Sequence, residues 1–230
     1  LINTALVMDK IPVYFMPGLA ASSAIFERIK LSESEFEMFF LEWEIPKEKE
    51  SLSGYAKRMT TKIKHENPVL IGVSFGGILV QEMKRFIPTR KVIIISSVKS
   101  NLEYPKRIVI AKKTKAYKLI PVSLAQNIEN FARFSFGKKV NERLKLYERF
   151  LSVRNEHYLD WAIEQVVLWN RNVVDQEVVH LHGDVDDIFP IKNIDGCIVV
   201  KGGTHVMILT KFRWLNTNLP KIILGQNKVE

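Results

Sequence analysis

Cysteine is all but missing from this chain of 230 residues: Cys197 stands alone, which excludes an internal disulfide and fits a reducing, cytoplasmic setting. Its surroundings, Cys197-Ile198-Val199-Val200, read as a buried structural thiol and not as a nucleophile. Long apolar runs are missing too. No stretch approaches the ~20 consecutive apolar residues of a membrane span, so none is expected. The N-terminal region shows no basic segment followed by a long apolar one, so no secretory signal is expected. Internal repeats and low-complexity segments are absent. Carboxylates are absent between Glu103 and Glu129, whereas Lys106, Arg107, Lys112, Lys113, Lys115 and Lys118 all fall there. The simpler reading of that stretch is a solvated helix face. The alternative is a basic rim that steers anionic substrates, such as acyl groups on phosphorylated carriers, or a membrane surface.

What remains is ordinary globular material, with 47% hydrophobic and 26% charged residues. The length suits one sizeable core in a single domain. A net charge of +9 permits loose attraction to anions without establishing a partner. Nucleic acid is not expected, because Tyr104 and Tyr117 are too few aromatics to interleave with the basic run.

Apolar runs with little alternation predict strands at 11–16, 36–43, 69–73, 91–96, 178–182 and 197–200. Helices are predicted over 24–29, capped by Ser22 or Ser23, over 52–63, capped by Ser51, and from Ser74 to near Pro88. Further helices are expected over 141–151, 158–169 and 205–216. Strands and helices alternate up to Ser97, stop alternating through 101–174, and then resume. The expected architecture is an α/β fold with a doubly wound, mostly parallel sheet of about six strands. Residues 1–100 and 175–230 would form its core, and 101–174 a helical cap insertion. Phe131, Phe134, Phe136, Trp161 and Trp169 are expected to pack that cap on the sheet, some of them lining an acyl pocket.

The chemistry centres on Gly72-Val73-Ser74-Phe75-Gly76-Gly77, between a predicted strand and a predicted helix. A serine in a strained turn needs small neighbours, and Gly72 and Gly76 supply them. The helix beginning there aims unpaired N–H groups at the serine. Two later loops follow predicted strands: Gly183-Asp184-Val185-Asp186-Asp187-Ile188-Phe189-Pro190 and Gly202-Gly203-Thr204-His205. With His182 before it, the first is similar to an H-G-x-x-D-x-x-x-P pattern. Nearly the whole chain thus resembles the α/β-hydrolase fold family, whose order is nucleophile, acid, histidine.

That resemblance implies Ser74 as nucleophile, His205 as base and Asp186 as the acid that orients the histidine. Asp184 and Asp187 are rivals for the acid; the spacing to His182 and Pro190 favours Asp186. A second acid position used by some relatives reads Ser96-Ser97-Val98-Lys99 here and carries no carboxylate. The backbone N–H groups of Phe75 and Leu19 would form the oxyanion hole. Many relatives have His-Gly where this chain has Pro17-Gly18, which bears on where the Leu19 donor sits. The acidic run 184–187 lacks the glycine and terminal glutamate of a calcium loop, so no metal is expected. His182 and His180 read as structural or core residues, and His65 and His157 as solvated residues on polar helical segments. The expectation is a serine hydrolase acting on a carboxylic ester or thioester through an acyl-enzyme, without cofactor, on a small acyl substrate that is anionic if the basic rim is used. An acyltransferase on the same triad, or a non-catalytic ligand-binding member of the fold, are the alternatives.

Overall fold

A computed structural model describes residues 9–119 and 149–226 of the protein. The apolar runs form strands β1 (Ile11–Met16), β2 (Phe36–Phe40), β3 (Val69–Val73), β4 (Lys91–Ile95), β5 (Val178–Gly183) and β6 (Ile198–Val200). They make one sheet in the order β2-β1-β3-β4-β5-β6, and every adjacent pair is parallel. All five residues of β3 are buried, as a strand covered on both faces requires. Pro12 is tolerated inside the sheet because pairing with β3 begins only at Val13.

The order reverses between β1 and β3: the chain first steps outward to β2, then returns to the other side of β1. In a parallel sheet the strand ends at such a reversal leave a crevice where loops diverge. The loops after β1 and β3, carrying Leu19 and Ser74, meet there.

Helices flank the sheet. In α1 (Leu52–Thr60) the residues Leu52, Tyr55, Ala56 and Met59 are buried, the spacing of one helical face, and Ser51 Oγ caps the start by accepting from Gly54 N. Every residue of α2 (Phe75–Met83) is buried, so this helix lies inside the fold. Between β4 and β5 the described residues contain no strand; they hold α3 (Lys106–Thr114), α4 (Glu156–Leu168) and helical residues at 149–150, with short 3-10 turns at 101–103 and 116–119. Two helices follow β6, the short α5 (Met207–Thr210) and the longer α6 (Phe212–Ile223). No helix among the described residues is long and apolar enough to cross a membrane.

Several elements differ from expectation. β2 ends at Phe40, so Trp43 lies beyond the sheet. The helix expected at 24–29 is a single 3-10 turn, Ser23–Phe26, and the hydroxyl of Ser22 makes no cap. The helix after Ser74 stops at Met83, short of Pro88. The last helix runs on through Pro220 to Ile223 instead of ending near Asn216. Of the helix expected at 141–151, residues 141–148 lie outside the described residues, as do Phe131, Phe134 and Phe136. Trp161 and Trp169, expected to pack on the sheet, meet the flanking helices and not the strands in these contacts: Trp161 packs on Tyr55 and donates to Glu50 O at 2.6 Å, and Trp169 donates to Glu82 Oε1 at 3.1 Å.

Candidate active site

Ser74 occupies the turn between β3 and α2 at φ 52° and ψ −119°, a region that an L-residue enters only when its surroundings force it. Packing supplies that force. A Cβ on Gly76 would stand 2.3 Å from Pro17 O, and one on Gly72 would stand 2.2 Å from Gly76 O, so neither position admits a side chain. Ser74 N donates to Ile95 O at 2.9 Å, and Ser97 Oγ donates to Ser74 O at 2.7 Å, pinning the peptide units on both sides. Ser74 is left half-buried and lines a cavity.

His205 comes from the turn after β6 and Asp186 from the turn after β5, and both are buried. The pair meets Ser74 in line. His205 Nε2 lies 3.0 Å from Ser74 Oγ, and His205 Nδ1 lies 2.9 Å from Asp186 Oδ2. Because the carboxylate only accepts, Nδ1 carries the proton and Nε2 presents its lone pair to the serine hydroxyl. Asp186 Oδ1 also accepts from Ile188 N and Phe189 N, each at 2.9 Å. Burial by itself would raise the Asp186 pKa. The neighbouring His205, through its charge and hydrogen bond, outweighs burial, with help from Phe189 N–H and His182, and holds the carboxyl below its ordinary value. Asp186 is therefore the acid that the geometry brings to His205. Asp184 instead accepts from Gly202 N at 2.6 Å, and Asp187 is exposed.

Behind the acid lies a buried histidine pair. His180 Nε2 and His182 Nδ1 are 3.0 Å apart, and His182 Nε2 donates to Phe189 O at 2.7 Å, so His182 Nδ1 is left to accept from His180. Burial lowers the pKa of both imidazoles. His65 lies in a bend and not on a helix, and its Nδ1 pairs with Tyr14 OH at 2.7 Å. His157 is exposed on α4, and its Nε2 donates to Pro46 O. Cys197 precedes β6 and is half-buried instead of buried; burial still raises its thiol pKa, which keeps it protonated.

The two backbone groups expected to form an oxyanion hole, Leu19 N and Phe75 N, belong to residues lining the same cavity as Ser74. Neither donates a hydrogen bond among the described residues. The cavity has a volume of about 500 Å³, and its described walls are almost wholly apolar. Ile163 and Val167 of α4, Tyr117, Ile188, Ile208 and Leu209 are among the residues that line it. Trp161 and Trp169, considered for this pocket from the sequence, do not line it. Among the described residues that line it, the ionisable side chains are His205 and Arg107; Arg107 is exposed and donates to Asp187 O and Ile188 O at 2.9 and 2.7 Å. Among the described residues no group of three or more His, Cys, Asp or Glu is placed to hold a metal ion.

Sequence reasoning missed Trp43. Its indole donates to Gly18 O at 2.8 Å and stacks on Phe75 with ring centroids 4.9 Å apart. Reading 36–43 as one strand hid this residue; a tryptophan past a strand end, level with the loops, was the available signal. Tyr158, expected only as part of a helix, accepts from Ala20 N at 3.3 Å.

No protein-family model and no curated protein matches the chain. Solved structures do. A hydrolase from Pseudomonas aeruginosa PA01 superposes with a TM-score of 0.71 at 12% identity, over 94% of this chain and 90% of that one. An esterase from Exiguobacterium antarcticum gives 0.66 at 18% identity, over 94% and 92%. An α/β hydrolase fold protein from Burkholderia ambifaria gives 0.66 at 13% identity, over 92% and 90%. Six parallel strands in this order, the strained serine turn after β3 and these likenesses together show that the chain has the α/β-hydrolase fold.

Proposed function

We propose that the protein is a serine hydrolase that cleaves carboxylic esters or thioesters with an apolar acyl group. The observation that carries this reading is the unbroken hydrogen-bonded line from Ser74 Oγ through His205 to Asp186, opening on an apolar cavity. A serine hydroxyl is a weak nucleophile at neutral pH and needs a base within hydrogen-bond reach. His205 Nε2 takes the proton as Ser74 Oγ bonds to the acyl carbon, and the carbonyl electron pair moves onto oxygen. Leu19 N–H and Phe75 N–H receive that oxyanion, a contribution of about 10²–10³ in rate per donor in comparable sites. As the carbonyl reforms, the alcohol or thiol leaves with the proton from His205. Water then attacks the acyl-enzyme by the same route and releases the acid and Ser74. Asp186 stays ionised throughout and stabilises the imidazolium. The esterase among the structural neighbours favours the same class of bond. Arg107 and the carboxylate-free run around it favour substrates that carry a negative group outside the cavity.

The test is labelling with a fluorophosphonate probe beside turnover of p-nitrophenyl esters and matching thioesters of increasing chain length. The expected result is labelling that vanishes in Ser74→Ala, with kcat/KM rising with chain length until the cavity is full. Well-folded protein that neither labels nor turns over any ester would leave a ligand-binding role in its place.

A further inference from the structure

Two backbone donors on separate loops must point at one oxygen for the proposed chemistry to work, and a single side chain touches both loops. Trp43 is buried beyond the end of β2. Its indole N–H donates to Gly18 O at 2.8 Å, and its ring lies over Phe75 with planes only 9° apart. Gly18 C=O and Leu19 N–H belong to the same planar peptide unit, and in a trans unit they point in opposite directions. Fixing Gly18 O therefore fixes the direction of Leu19 N–H. A hydrogen bond accepted by the carbonyl also polarises the amide and makes its N–H a better donor. Ala21 N adds a second bond to Gly18 O at 3.1 Å.

The far side of this loop is held as well. Ala20, at φ 62°, donates to Tyr158 OH at 3.3 Å and accepts from Val153 N at 3.0 Å. The Tyr158 ring in turn packs against Trp43 with centroids 5.3 Å apart. We infer that Trp43 is a positioning residue that sets the oxyanion site, orienting the Gly18–Leu19 peptide with its N–H and bracing Phe75 with its ring, with Tyr158 as the outer support. This rests on the serine hydrolase reading. A tryptophan that merely filled the core would lose stability on substitution without singling out the tetrahedral state.

The experiment compares wild type, Trp43→Phe and Tyr158→Phe. Two inhibitors are used: an alkyl trifluoromethyl ketone, which Ser74 converts to a tetrahedral oxyanion adduct, and the methyl ketone of the same chain length, which only occupies the cavity. For Trp43→Phe the expected result is a fall of about tenfold to a hundredfold in both kcat and trifluoromethyl ketone affinity. KM and methyl ketone affinity stay within about twofold, since the cavity walls are unchanged. Tyr158→Phe shows the same pattern at about threefold, because it removes one acceptor at the loop's edge. The inference is overturned if Trp43→Phe keeps its kcat, or if both ketones weaken equally. Should Trp43→Phe fail to fold, an unchanged ratio of the two ketone affinities in Tyr158→Phe overturns it. If wild type binds the two ketones alike and hydrolyses no ester, the hydrolase reading falls and this inference with it.

Discussion

The backbone of Gly183 is pressed against that of Gly203 so closely that a Cβ on Gly183 would stand 2.0 Å from Gly203 O. Gly183 ends β5 and Gly203 follows β6, and Val185 N donates to the same carbonyl at 3.1 Å. The loops bearing Asp186 and His205 are thereby locked into one unit.

Gly183→Ala is expected to drive those loops apart while leaving the Ser74 turn untouched. Turnover should fall about a hundredfold, the usual consequence of a displacement near 1 Å. Fluorophosphonate labelling should slow by a similar factor, with a lower Tm. A variant within threefold of wild type in turnover would show that the contact does not set the Asp186–His205 geometry.

Asp186→Asn keeps an oxygen for the Ile188 and Phe189 N–H groups but loses the charge facing His205. The expected loss in kcat is about 10⁴-fold, since the imidazole is then free to adopt the wrong tautomer. Asp187→Asn, at an exposed position, should stay within threefold, as should Asp184→Asn with a small loss of Tm. Steady-state kinetics on one p-nitrophenyl ester distinguishes the three carboxylates.

Two pH windows of stability are expected. His180 and His182 have folded-state pKa values below their ordinary 6.5, chiefly through burial. Below about pH 6.5 the unfolded chain therefore takes up protons that the native state refuses. Each histidine then costs about 1.4 kcal/mol per pH unit until its folded pKa is reached. Asp186 acts lower down: its stabilisation is present above the unfolded value of 3.8 and disappears as pH falls through the depressed folded value. Urea unfolding at pH 7.5, 6.5 and 5.5 should show the first loss, and His180→Gln should remove about half of its slope.

Arg107 joins α3 to the segment just after Asp186 and stands at the cavity wall. Arg107→Gln should raise KM for esters with an anionic leaving group by about tenfold at low salt. At high ionic strength that difference should shrink, because the group is exposed and screened. Equal changes for neutral and anionic esters at every salt concentration would assign Arg107 to loop support alone.

The serine turn and its two partner loops were legible in the sequence because each is short, follows an apolar strand and carries glycines where packing forbids a side chain, as at Gly72, Gly76 and Gly183. The sheet was legible for a related reason: strands buried on both faces leave uninterrupted apolar runs, such as 69–73. What stayed hidden depends on contacts between distant segments. Nothing local shows that Trp43 reaches back 25 positions to Gly18, or that Tyr158 meets Ala20 across 138. The ends of β2 and α6 were misread because apolar residues continue beyond the one and polar residues interrupt the other, whereas pairing and packing decide where each stops.

Chain order has its own consequence. Ser74 precedes His205 by 131 positions, so at roughly 5–20 residues per second the ribosome emits the hydroxyl on the order of ten seconds before its imidazole. Throughout that interval the growing polypeptide holds an alcohol with no base beside it. The proposed enzyme is thus chemically silent during its own synthesis and gains reactivity only when β5 and β6 join the edge of the sheet.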